Sequence, residues 1–101
     1  MNLSQMNQAR ELKARMDSIQ KELSNTIVEA SAGKGAVKVK VDGQQKVKSI
    51  EISPSVIDPS KASALEGMML KAVSEALNKS QKAAAKQLKG LTGGLGMPGM
   101  F

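Results

Sequence analysis

A chain of 101 residues has room for one domain with a modest core, and this one has no cysteine, no histidine and a single aromatic, Phe101. Those absences exclude a disulfide framework, a zinc cluster and histidine acid–base chemistry. Fifteen Lys and Arg against nine Asp and Glu leave a net charge of +6, which favours a polyanionic partner, nucleic acid or an acidic membrane surface. Single-strand binders and sequence-reading RNA modules stack bases on aromatic rings; with none to offer, this chain is better suited to duplex DNA gripped through its phosphates. The opening MNLSQMNQAR has no apolar run of signal-peptide length and no stretch is long enough to span a bilayer, so a cytoplasmic protein with no membrane partner is expected.

The first predicted element is a helix. Asn2 is a suitable N-cap with Gln5 three residues on, and Leu3, Met6, Ala9, Leu12, Met16, Ile19 and Leu23 recur at intervals of three and four. This is one apolar stripe about twenty residues long, roughly 30 Å. Arg10, Lys13, Arg15 and Lys21 share its flanks with Glu11, Asp17 and Glu22, the mixture of an ordinary solvated face. Ser24-Asn25 ends it.

Thr26–Ala30 has strand composition, and Gly33-Lys34-Gly35 connects it to the most strongly patterned stretch, Ala36–Ile52. There Val37, Lys38, Val39, Lys40 and Val41 alternate with the period of a half-buried strand. Asp42-Gly43 signals a hairpin, and Lys46-Val47-Lys48 resumes the alternation. A loop with one extra residue sets Val39 opposite Val47, Lys38 opposite Lys48 and Lys40 opposite Lys46. Ile50 and Ile52 are then out of phase, which predicts a second irregularity near Lys48-Ser49. Val37, Val39, Val41, Val47, Ile50 and Ile52 form the expected core or dimer face, and the lysine face repels itself unless an anion covers it.

The segment Ser53–Pro59 has prolines near both ends, which stop strand and helix alike but leave room for one turn. From Ser60 the period returns to 3.6, with Asp58 or Ser60 as cap. Leu65, Met69, Ala72, Val73, Ala76, Ser80, Ala83, Gln87 and Leu88 mark one side of a helix running to Leu91. Lys79, Lys82, Lys86 and Lys89 recur at three and four as a basic stripe on its last part; the helix dipole accounts for Lys86 and Lys89 but reaches Lys79 poorly. The fold expected is α+β: a helix, a three-stranded antiparallel meander, a short turn and a long helix in one domain over residues 1–91. A glycine-rich tail, 92–101, follows; it is expected to be mobile or to lie extended on an apolar groove.

Neither Gly33-Lys34-Gly35 nor Gly93-Gly94-Leu95-Gly96 has phosphate-loop spacing. The serines lack an activating histidine and the carboxylates are scattered singly. No enzyme activity, cofactor, metal site or small-molecule substrate is expected.

Three stretches, MNQARELKARMDSIQKEL, GKGAVKVKVDGQQKVKSIEISPSVID and KGLTGGLGMPGMF, resemble the YbaB/EbfC family of bacterial nucleoid-associated proteins across essentially the whole chain. The resemblance implies a small homodimer whose sheets join the subunits and whose helices project as tweezer-like arms. It also implies binding of duplex DNA, with a role in nucleoid organisation and gene expression. Carried onto this chain, the arm contacts are Arg10, Lys13 and Arg15 on the first helix and Lys79, Lys82, Lys86 and Lys89 on the last. The residue pattern alone points instead to the sheet lysines Lys38, Lys40, Lys46 and Lys48. The arms rank first, because a projecting helix reaches a phosphate row while a sheet face can be covered. A function of another class, a helical clamp that holds a protein partner, is kept beside DNA binding.

Overall fold

The structure, a computed structural model, describes residues 3–94, with side chains described over residues 6–90. The Asn2–Gln5 cap, the ends of the chain and the tail beyond residue 94 lie outside them. Helix α1 (Leu3–Asn25) leads into strands β1 (Ile27–Ala32), β2 (Val37–Asp42) and β3 (Val47–Ile52). Two single 3-10 turns, Pro54–Val56 and Pro59–Lys61, then lead into helix α2 (Ala62–Gly94). The sheet is the expected antiparallel meander in the order β1-β2-β3. Asp58 caps the second turn, its carboxylate accepting from the Ser60 backbone N–H. Hydrogen bonds from the Ser60 hydroxyl and N–H hold the Asp58 carboxyl below its usual range, outweighing the opposing effect of burial. The helical pattern continues three residues past Leu91, through Thr92-Gly93-Gly94.

The register between β2 and β3 differs from the expected one. Asp42 N–H donates to the Lys46 carbonyl and Gln45 N–H to the Asp42 carbonyl, with Gln45 at φ 66°, so the loop is Gly43-Gln44-Gln45. Val41 therefore faces Val47, two residues from the predicted Val39–Val47 pairing. The reason is Asp42 itself, which belongs to the strand end and not to the turn. The second irregularity stands where the spacing predicted it: Lys48 bulges, and beyond it Lys40 faces Ser49, Val39 faces Ile50, Lys38 faces Glu51 and Val37 faces Ile52. No lysine faces a lysine. On the other side Lys40 faces Glu29 and Lys38 faces Ser31. The self-repelling lysine face becomes one where each β2 lysine has a carboxylate across from it, and it needs no anionic ligand.

The valine face does become core. Val37, Val39 and Val41 are fully buried with Ala30 and Ala32 against Ala72 and Ala76 of α2, and Leu65, Met68, Met69, Val73 and Leu77 pack round them. The small alanines let helix and sheet approach closely. This cover reaches β1 and β2 but not the outer strand. On β3, Val47 is 46% exposed and Ile50 42% exposed, with Ile52 half-buried.

Candidate nucleic-acid interface

The arms originate at the β2–β3 hairpin tip. Ser80, fully buried in the middle of α2, donates its hydroxyl to the Asp42 carbonyl at 2.6 Å. Gly43 N–H donates to the Leu23 carbonyl near the end of α1 at 2.8 Å. Gln44 Nε2 donates to the carbonyl and the side-chain oxygen of Gln20, both at 3.1 Å. One hairpin tip is thus bonded to both helices where they leave the sheet. Carbonyls near that end also accept from side chains: Ser24 Oγ donates to Lys21 O and Thr26 Oγ1 to Glu22 O, beside the bonds to Gln20 and Leu23. Past Ser80, α2 continues for 14 residues, about 21 Å, and the chain extends 68 Å along its longest axis. Leu23 is buried at the junction and Ile19 half-buried, whereas Met6, Leu12 and Met16 are largely exposed.

Charge is partitioned between these parts. From Ala76 to Gly94, α2 carries four lysines and no carboxylate. With α1, which has four cations and three anions, the arms hold +5 of the +6; the rest of the chain sets seven lysines against six carboxylates. Arg10, Lys13 and Arg15 are exposed on α1, and Lys82, Lys86 and Lys89 on distal α2. Lys79 is placed differently from the others of its stripe: its ammonium donates to the Glu29 carbonyl of β1 at 2.8 Å, tying helix to sheet.

The sheet lysines are less suited to a phosphate row. Lys38 and Lys40 face Glu51 and Glu29. Lys48 Nζ lies 3.6 Å from Asp42 Oδ2. Asp42 is only 1% exposed, and burial pushes its carboxyl up; the backbone N–H groups of Lys46 and Gln44, bonded to Oδ1, together with the Lys48 charge, outweigh that and hold it below 3.8. Lys46 is exposed at the tip. A shallow recess of about 240 Å³ at the other end of the sheet is lined by Gly35, Ala36, Lys38, Glu51, Ile52 and Ser53; its paired cation and anion do not suit a polyanion. Sequence reasoning did not find the tip residues Asp42, Gly43 and Gln44 with Ser80 and Gln20. The available signal was Ser80, a polar residue on the apolar side of the α2 pattern.

The chain is similar to proteins of known sequence and of known structure. The YbaB/EbfC DNA-binding family matches residues 1–95. This chain belongs to that family. A nucleoid-associated protein of Pelotomaculum thermopropionicum is 43% identical over 101 residues, covering 99% of this chain and 96% of its own. One of Clostridium novyi (strain NT) is 43% identical over 96 residues, 95% of this chain and 84% of its own. The crystal structure of the uncharacterized protein HP0035 from Helicobacter pylori shares the fold, with a TM-score of 0.67 at 22% identity over 94% of this chain and 97% of that one. Among the described residues no helix is long and apolar enough to cross a membrane.

Proposed function

We propose that this protein is a nucleoid-associated DNA-binding protein that grips duplex DNA as a homodimer, mainly through phosphates, and thereby organises the nucleoid and influences expression. The observation that carries this is the charge partition: the arm helices hold nearly all the net positive charge, and distal α2 has lysines without a single competing carboxylate. Arg10, Lys13, Arg15, Lys82, Lys86 and Lys89 are the phosphate contacts in this reading. Lys79 contributes mainly by fixing α2 to β1. The carboxylates facing the sheet lysines put that surface second.

Two observations support the dimer. Among the described residues the buried apolar core comprises four alanines, three valines and one leucine, a small core for a free-standing domain. Beside it, Val47 and Ile50 stand half-exposed on the open edge of the sheet, with Leu70 of α2 70% exposed and Ile57 57% exposed. A second copy pairing at this edge covers apolar side chains and unpaired strand groups together. The test of the function is fluorescence anisotropy of a labelled duplex across a salt series. The expected result is a log affinity that falls linearly with log salt, its slope counting phosphate contacts. Absence of binding at low salt refutes the reading and leaves the protein-clamp function in its place.

A further inference from the structure

We propose that the hairpin tip Asp42–Gln44 is the spacer that sets the direction of both arms, with Ser80 and Gln44 as the positioning residues through which the sheet aims the DNA-contacting lysines. This rests on the arm reading above, but its first test needs no DNA. The tip is bonded to both helices: the Asp42 carbonyl accepts from Ser80 in α2, and Gly43 and Gln44 donate to Leu23 and Gln20 in α1. The contact on α1 is fitted to a missing side chain. A Cβ on Gly43 would stand 2.7 Å from the Leu23 carbonyl oxygen and 3.0 Å from Leu23 Cα, backbone atoms that move only with the helix. Small residues permit the contact on α2 as well, since Ser80 is fully buried between alanines at positions 76, 83 and 84.

Asp42 keeps this spacer rigid. Its Oδ1 accepts from the N–H groups of Gln44 and Lys46, closing the loop on itself, while Lys48 approaches Oδ2. A rigid tip bonded at the root of two helices acts on their far ends with leverage. Glu11 on α1 is 12 residues, about 18 Å, from Leu23, so a tilt of about 6° on loss of the anchor at the root moves Glu11 by roughly 2 Å.

The chain has no cysteine, so paired spin labels can be placed cleanly at exposed sites of the full-length protein: Ser31→Cys with Glu11→Cys for α1, and Ser31→Cys with Ala85→Cys for α2. The labelled chain is diluted with unlabelled chain to isolate intrachain distances. Ser80→Ala leaves the Asp42 carbonyl with its Gln45 N–H donor, and Gln44 is at the surface end of its bonds, so both variants retain the fold. The expected result is that Gln44→Ala broadens or shifts the 31–11 distance by roughly 2 Å and Ser80→Ala the 31–85 distance by roughly 1 Å, its lever being only about 7.5 Å long, with circular dichroism unchanged. On duplex DNA each variant then weakens binding several-fold while the salt slope, which counts lysine contacts, stays the same. Distance distributions that superimpose on the parent overturn the spacer role. Altered distances without a change in DNA affinity overturn instead the link between arm direction and binding, and leave the spacer standing.

Discussion

Substituting Lys82 and Lys86 together by glutamine separates the arm reading from every other use of the charge. The two lie one turn apart on distal α2, about 6 Å along the axis, are exposed, and sit in a stretch without carboxylates. Each phosphate contact in duplex DNA contributes roughly −0.9 to the slope of log affinity against log salt. The double variant removes four lysines from a dimer, so the slope flattens by roughly 3.6 if both arm pairs engage the duplex and by about 1.8 if only one does. Affinity at about 0.1 M salt falls by three to four orders of magnitude in the first case. Lys79→Gln is the internal control. Its ammonium is on the Glu29 carbonyl, so losing it costs about 0.5–1.5 kcal/mol of stability and leaves the slope alone. Salt titrations of the parent, the double variant and Lys79→Gln, with sedimentation to confirm the dimer, decide the matter. An unchanged slope in the double variant refutes distal α2 as the phosphate reader; a slope flattened by Lys79→Gln refutes its assignment as a tie.

Val39→Asp buries an unpaired charge at a fully buried position and is expected to cost about 3 kcal/mol or more; circular dichroism of a soluble, fully folded variant would contradict that core. Gly43→Ala forces its Cβ against Leu23 backbone atoms and is expected to lower stability by about 1–3 kcal/mol, read from chemical unfolding. Ile50→Glu places charge on the half-exposed β3 face and is expected to shift the dimer toward monomer in light scattering, with the thermal midpoint of the parent rising with protein concentration. The Asp42 carboxyl is held below its usual value, so its charged form adds stability above the unfolded value near 3.8 that is lost as pH falls through the folded value. Asp42→Asn therefore melts lower than the parent at pH 7, and the gap closes as pH drops below 3.8; a constant gap excludes the carboxylate charge as the cause.

The elements were legible wherever one periodicity ran unopposed. The Val–Lys alternation of β2 answers to a single burial face, and the three- and four-residue stripe of α1 formed as a helix although only its end, at Ile19 and Leu23, is covered in the single chain. The β2–β3 register was not legible, because the pattern of Val47, Ile50 and Ile52 is compatible with more than one loop and the choice is made by Asp42. Its carboxylate bonds two loop N–H groups, a preference that appears only once the chain has turned. The two-residue slip together with the Lys48 bulge set Lys38 against Glu51, and the β1 ladder sets Lys40 against Glu29, pairings that strand spacing alone did not show. The Lys79–Lys89 stripe was visible as a period, but a period cannot say that its first member reaches back 50 positions to a β1 carbonyl. Long-range contacts of that kind are set by where α2 crosses the sheet.

That crossing explains why one helix can serve two purposes. Up to Ala76, α2 turns alanines and larger apolar groups onto the sheet, and its charges, Glu66, Lys71 and Glu75, are mixed in sign. Ser80 is bonded to the sheet through the hairpin tip. Beyond it the requirement to cover a core lapses, and small residues with lysines of one sign replace the mixture. A charge-balanced sheet can approach a second copy of itself without repulsion, whereas four like charges on each arm keep the arms from collapsing onto each other. In the proposed function the nearly neutral part of the chain meets a second copy and the lysine-rich arm meets DNA, and the two parts join where Ser80 bonds the Asp42 carbonyl.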